Sequence, residues 1–566
     1  MLGKRQRVHQ DGPAEERLRN NISDLYLSND ISACRALTLF QDAVDAKAVG
    51  CRKLSRVAKN RAGILNKKNI ARGLLTHMLR GKGWPELYWT QIPLYCNKTQ
   101  EPVTCDMPFL LPHEVVAALL SKTPATVLAC EDRLDNSIKE HLAKARIEVV
   151  GLGTDLCAVV GLWWDGVPMN WDRNQSLECI CMSLPGLPGD YRNLRIPLAC
   201  VPKRNCIRAR TLDSMNAVLT DSFKCLARGT RMRSRFDGLA WRKTDRIRRK
   251  RAGNPIGIKG LLAEGRGDWM MLKTTFGFPQ WNETSGCCIK CNATPANIRD
   301  TGLDASWRGH SLSTCDVLRR MMLKGLTIPS IFGAPGFETT CFKEDWLHCA
   351  DLGVGPDVLG NLFWMLLPRM PGGNRNACAS ALFVEIREYY KSHPGLPGHL
   401  DNLTVSMIKR AGKSPKLKCY GAECRGLIRF APIASSRWLD RTNPFELAVI
   451  HLCETLDACY QCLSHGEIFA RDLLAERSRR LAALWVAIEA RSEEPFWRVK
   501  PKLHQFQHLC ETTGSLPTES WTYRDEDFGG TMSRLARSRG GPRSASAVAR
   551  NVLLKFIARH PVPLIG

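Results

Sequence analysis

Hydrophobic residues in this chain change their period several times, and each change marks a new kind of element. Up to about residue 110, lysine and arginine are spread through "CRKLSRVAKNRAGILNKKNIARGLLTHMLRGKGW", which predicts one or two amphipathic helices with a positive face. From about 111 the pattern becomes regular. Helix-like "PHEVVAALLSK" and "EDRLDNSIKEHLAKARI" precede three strand-like runs, "CAVVGLWWD", "LECICMSL" and "RIPLACV". Loops carrying Gly, Pro and Asn separate these runs, as antiparallel neighbours require. "TLDSMNAVLTDSFKCLARG" returns to helical spacing with a polar start and a glycine stop, and "PIGIKGLLAEG" is a further strand. Beyond about 281 a stretch with Cys and Trp leads into helical segments such as "PDVLGNLFWMLL", "NACASALFVEIREYYK" and "PFELAVIHLCETLDACYQCL".

The expected organisation is therefore an α/β protein in four parts. Residues 1–110 form a basic N-terminal region, a candidate DNA-binding or docking arm. Residues 111–280 form the first part of an α/β core, 281–500 a Cys-containing, mainly α-helical insertion, and 501–566 the C-terminal helices that complete the core.

Composition narrows the partners. At 566 residues the chain is longer than one hydrophobic core usually serves, and 44% hydrophobic with 24% charged residues is the balance of a folded protein. Lysine plus arginine total 81 against 55 acidic residues, a net charge of +26, which favours a polyanion such as DNA. No run approaches the roughly 20 apolar residues that span a bilayer, so no membrane partner is expected. The start, "MLGKRQRVHQDGPAEERLRN", has no apolar stretch of the secretory kind. Twenty-four scattered cysteines, often inside apolar runs, read as reduced thiols of an intracellular protein. Basic clusters at Lys4 to Arg7 and Lys243 to Arg251 are candidate nuclear-import signals.

Three acids stand at informative places. Asp165 ends the strand "VVGLWWD", Asp268 ends another strand and opens an apolar helix-like run, and Glu526 lies where a polar helix begins. Each has a plainer reading alone: a turn aspartate in Asp-Gly, a helix N-cap, and an acid balanced by Arg524 and Arg534. Meeting in the fold, they would form a carboxylate site for two divalent ions, magnesium or manganese, suited to phosphodiester chemistry.

Other residues suggest binding. Cys288 and Cys291 have the two-residue gap of a zinc turn, and His310, Cys315, Cys341, His348 and Cys349 are the nearest candidates to complete such a site. His504 and His508 share a helix face; core histidines with satisfied hydrogen bonds are the first expectation, and metal binding or support of Glu526 the alternative. Arg246, Arg248, Arg249, Lys250, Arg251, Arg534 and Arg537, with Arg539, Arg543 and Arg550, are candidate phosphate contacts.

The segment "KPKLHQFQHLCETTGSLPTESWTYRDEDFGGTMSRLAR" resembles the C-terminal block of eukaryotic cut-and-paste transposases of the CACTA (En/Spm) kind and their Kyakuja-Dileera-Zisupton relatives. Pro501 to His504, His508, Trp521, Tyr523, Glu526, Phe528 and Gly530 occupy the matching places, and Asp165, Gly267 with Asp268, Cys288 with Cys291, and Asp345 with His348, Gly353 and Val354 follow the upstream pattern. The resemblance covers roughly residues 150 to 540. It implies a ribonuclease-H-like catalytic core interrupted by the insertion, an order of strand, strand, strand, helix, strand, and a DDE triad of Asp165, Asp268 and Glu526 that holds magnesium and cuts and joins DNA. Arg524 and Asp527 depart from the family block, which has Pro and Arg there. The alternative expectation is a catalytically inactive, transposase-derived DNA-binding protein of the nucleus, and a second copy of the chain is a further candidate partner.

Overall fold

The computed structural model describes residues 13–59, 66–170, 172–279, 282–463, 471–494, 496–512, 517–537 and 543–565. The Lys4 to Arg7 cluster and Arg539 lie outside them. Two strands, β1 (Tyr88–Tyr95) and β2 (Pro102–Phe109), form an antiparallel hairpin. Four more, β3 (Cys157–Pro168), β4 (Ser176–Ser183), β5 (Ile196–Pro202) and β6 (Lys259–Arg266), make a mixed sheet in the order β5-β4-β3-β6.

β4 runs antiparallel to both β3 and β5, whereas β6 is parallel to β3. Parallel neighbours need a crossover. The Arg208–Arg228 helix supplies it and stops at Gly229, whose φ of 69° is the left-handed conformation that glycine adopts without penalty. Near-continuous burial of β3, β4 and β5 explains their uninterrupted apolar runs.

The β1–β2 hairpin adds strands to the basic N-terminal region, for which only helices were expected. Tyr88, Thr90, Ile92 and Leu94 alternate inward along β1, but Pro93 inside the run argues against a strand by the usual rule. This strand has one neighbour, so the missing N–H is tolerated.

Register places the chemistry. The last β3–β6 pair is Trp163 with Arg266, so Asp165 and Asp268 each lie two residues further along adjacent parallel strands. They lie toward the same end of the two strands. The Tyr523–Ala536 helix packs across β3, where a Cβ on Gly529 would come within 3.1 Å of Val167 and 3.2 Å of Trp163. Close approach therefore requires Gly529, whereas Gly530 faces open space apart from Arg534.

A large apolar core surrounds the sheet and includes Val317 to Phe342, a second joins residues 287–307 to the helices from about 346 to 510, and a third joins the N-terminal helices Ala14–Leu27, Ala33–Asp45 and Ile70–Met78. Ala558 of the Ala545–Arg559 helix belongs to that third core, so the N-terminal helices pack against the C-terminal one. Among the described residues no helix is long and apolar enough to cross a membrane, and none of the 24 cysteines is in a disulfide.

Candidate active site

Asp165, Asp268 and Glu526 are brought together from β3, the turn after β6 and the first turn of the Tyr523–Ala536 helix. Burial pushes the Asp165 carboxyl up to about 8, and the charges of Glu526 and then Asp268 add to the rise. Glu526 is raised mainly by burial, and the charge of His348 opposes the rise. Asp165 also accepts the Gly166 amide at 2.7 Å, and Asp268 accepts the Met271 amide at 2.5 Å as an N-cap. The cap role foreseen for Asp268 is thus real, whereas the turn foreseen at Asp165 is absent: β3 runs on to Pro168, and Asp165 pairs with Cys179 inside the ladder. The acids act on one another electrostatically, but among the described residues their ligand atoms are not gathered within 4.8 Å of one another as those of Cys288, Cys291, His504 and His508 are.

A fourth carboxylate was not anticipated. Glu178 lies opposite Gly166 on β4, and its oxygens would be 3.3 Å from a Cβ at Gly166, so the absent side chain makes its room. Burial raises its carboxyl; Lys203, 3.5 Å away, opposes the rise and Asp268 adds to it. Its signal was the single charge in "SLECICMS".

His348 rather than His504 or His508 faces Glu526. Its Nε2 is 3.9 Å from Glu526 Oε1, and its Nδ1 is 2.5 Å from Asp345 Oδ2. Burial works against a charged His348, but Asp345 and then Glu526 outweigh it and raise the imidazole to about 9. Asp345 is itself fixed by the amides of Leu347 and Thr522, which links the π-helical Leu347–Val354 segment to the residues preceding Glu526. A raised folded pKa contributes stability that is complete below the ordinary value of 6.5 and disappears as pH climbs through about 9. Urea unfolding of His348→Gln should accordingly show its largest deficit against the native chain near pH 6 and little deficit above about pH 9.5.

The acidic triplet splits three ways. Asp525 is fully buried between Arg195 and Arg266, with Arg266 Nε 3.0 Å from its Oδ2 and Arg195 closer still. Glu526 turns to the other acids. Asp527 is exposed, and Arg534 is the cation that acts on it. Upstream, Tyr523 donates to buried Asp351, which also takes bonds from Tyr460 and Arg425. Arg425 in turn lies over Trp521 and Tyr523, at 4.9 and 5.0 Å from the ring centres. The aromatic residues ahead of Glu526 therefore anchor the start of its helix, and Asp525 anchors it to the sheet.

Cys288 and Cys291 converge with His504 and His508, not with the five nearer candidates. The four ligand atoms lie within 4.8 Å of one another. Cys291 Sγ is 3.3 Å from His504 Nε2 and 3.2 Å from His508 Nε2, and the two Nε2 atoms are 3.1 Å apart. A hydrogen bond from Cys291 holds the Cys288 thiol well below its usual range despite burial, with both histidines assisting, while Cys291 is raised. A crevice lined by Gly267, Trp269, Cys288, Asp345, His348 and Lys502 lies between this cluster and the carboxylates.

The basic candidates divide. Arg246, Arg249, Lys250 and Arg251 are exposed. Arg248 is buried: it holds Glu114 in a two-pronged ion pair at 2.8 and 2.7 Å and caps the Glu86 carbonyl. It is a structural anchor and leaves the set of phosphate contacts. Arg534, Arg543 and Arg550 are exposed, and Arg537 is half-buried. Lys502, absent from the sequence-based set, acts on His348 and lies 5.5 Å over the Trp269 ring beside the carboxylates. No family model matches this chain, and no curated protein matches it at a significant level. What the site can do is read from its own geometry.

Proposed function

We propose that this chain cuts and joins DNA strands by divalent-metal chemistry of the DDE type, on a ribonuclease-H-like core like that of the transposases its C-terminal block resembles. The observation that carries the proposal is that Asp165 lies within electrostatic reach of both Asp268 and Glu526, acids from positions spread over the chain. The order β5-β4-β3-β6, with only β6 parallel to β3, agrees with such a core. Magnesium or manganese held there would supply Lewis-acid activation of the attacking and leaving oxygens of a phosphodiester.

The chain's own residues do the positioning. Asp165 holds its carboxylate from within β3 and Asp268 from the turn just after β6, rigid positions where placement is tight. Glu526 is presented by a helix that Asp525, Tyr523 and Gly529 fix against the sheet. Protonated His348 balances part of the acidic charge. With a net charge of +26, exposed Arg246, Arg249, Lys250, Arg251 and Arg534 bind phosphates without reading sequence, and the nucleus is the compartment where such a partner is met.

One observation favours the rival, a DNA-binding protein without catalysis: the Asp165 and Asp268 carboxylates already have backbone partners, the Gly166 amide and, as an N-cap, the Met271 amide. Manganese titration followed by electron paramagnetic resonance separates the two. We expect uptake that Glu526→Gln weakens about tenfold or more, a loss of at least about 1.4 kcal/mol. A pure DNA binder takes up no manganese that depends on these acids.

A further inference from the structure

We propose that Cys288, Cys291, His504 and His508 bind one zinc ion, and that this ion fastens the Pro501–Thr512 helix to the turn at 287–293. The inference does not depend on what the carboxylates do. It rests on four lone-pair donors turned toward one point. Zn–S bonds of about 2.3 Å and Zn–N bonds of about 2.0 Å at tetrahedral angles put sulfur and nitrogen about 3.5 Å apart and the two nitrogens about 3.3 Å apart. The observed separations are 3.2 to 3.3 Å and 3.1 Å.

The backbone around the cysteines has the form that presents two thiolates to one ion. The Cys287 amide donates to the Ala293 carbonyl at 2.8 Å, closing the turn, and the Lys290 amide donates to Cys288 Sγ at 3.3 Å. Leu312 donates to the Lys290 carbonyl, so a second segment backs the turn. On the other side His504 and His508 lie one helical turn apart, and buried Trp307 packs edge-on against both rings.

Charge and coordination number identify the ion. Two thiolates and two neutral imidazoles cancel the charge of a divalent ion, which a buried site requires. The two sulfurs and two Nε2 atoms converge on one point, as ligands of a single ion do. Soft sulfur with imidazole selects zinc over magnesium, and four protein ligands leave no position for substrate, so the role is structural. Its mechanical consequence follows from the chain path: the helix it pins carries Lys502 and leads toward Glu526.

The test is metal analysis of the full-length chain purified without chelator, followed by exchange to cobalt(II). One zinc per chain, and a cobalt derivative with the intense visible bands of a tetrahedral thiolate site, is the expected result. Cys291→Ser should lose the zinc, His508→Cys should retain it, and Asp165→Asn should leave the zinc content unchanged. Chelation with 1,10-phenanthroline should lower the thermal midpoint of the native chain. Two findings overturn the proposal: a chain that carries no zinc and gives no thiolate–cobalt bands, or stoichiometric zinc that persists in folded Cys291→Ser. Because content and spectrum are read on the native chain, failure of a variant to fold does not hide the answer.

Discussion

Asp165→Asn is expected to abolish metal-dependent strand cleavage while leaving the metal-free chain at least as stable as the native one. The substitution keeps the size of the side chain and an oxygen for the Gly166 amide, and removes only the charge. If Asp165 holds a divalent ion at the reacting phosphate, the rate should fall by about a thousandfold or more, roughly 4 kcal/mol of transition-state stabilisation. Stability moves the other way. Burial with Glu526 and Asp268 lifts the Asp165 carboxyl from 3.8 to about 8 in the folded chain. The folded state then holds a proton that the unfolded chain releases, so the metal-free protein should lose stability as pH rises from about 4 through about 8. Urea unfolding at the two ends of that window should show the decline in the native chain and a flatter profile in Asp165→Asn.

Asp525→Ala, one residue from Glu526, should do the reverse: a large loss of stability, with loss of activity following from it. Removing this carboxylate leaves Arg195 and Arg266 buried, with Glu264 as the remaining acid beside Arg266. Breaking a buried ion network by deleting one partner costs about 3–5 kcal/mol, because the stranded charge stays out of water. The midpoint of urea unfolding should drop accordingly. Asp525→Asn should fall between, since its amide oxygen still accepts from an arginine. A cost below about 1 kcal/mol, the worth of a surface pair, would mean that the helix is held by Tyr523 and Gly529 alone.

Much of the sheet was legible because its strands are buried on both faces and therefore appear as unbroken apolar runs, such as "CAVVGLWWD", between polar loops. The place of Asp268 followed from where its run ends, whereas β3 continues past Asp165 to Pro168 because the ladder with β4 does not need apolar residues there. What escaped has physical causes. Pro93 disguised β1 because a proline interrupts the ladder, which one neighbouring strand leaves free to happen. Glu178 was hidden inside an apolar strand because the space above it comes from Gly166 on another strand. The partners of Cys288 and Cys291 were sought nearby, whereas His504 and His508 lie more than 200 positions further on, at separations of 213 and 217 from Cys291. Only the closed fold brings them together. Arg248 looked like its neighbours in "RIRRKR" because composition does not reveal that a helix turns one of several cations inward to Glu114.

The most direct measurement is cleavage of labelled duplex DNA by the purified full-length chain with magnesium or manganese, beside Asp268→Asn, which keeps a side-chain oxygen for the Met271 cap while losing the charge. The account predicts metal-dependent strand breaks by the native chain and none by the variant, with both proteins binding DNA alike. Equal DNA binding with no cutting by either protein, even in manganese, would contradict it.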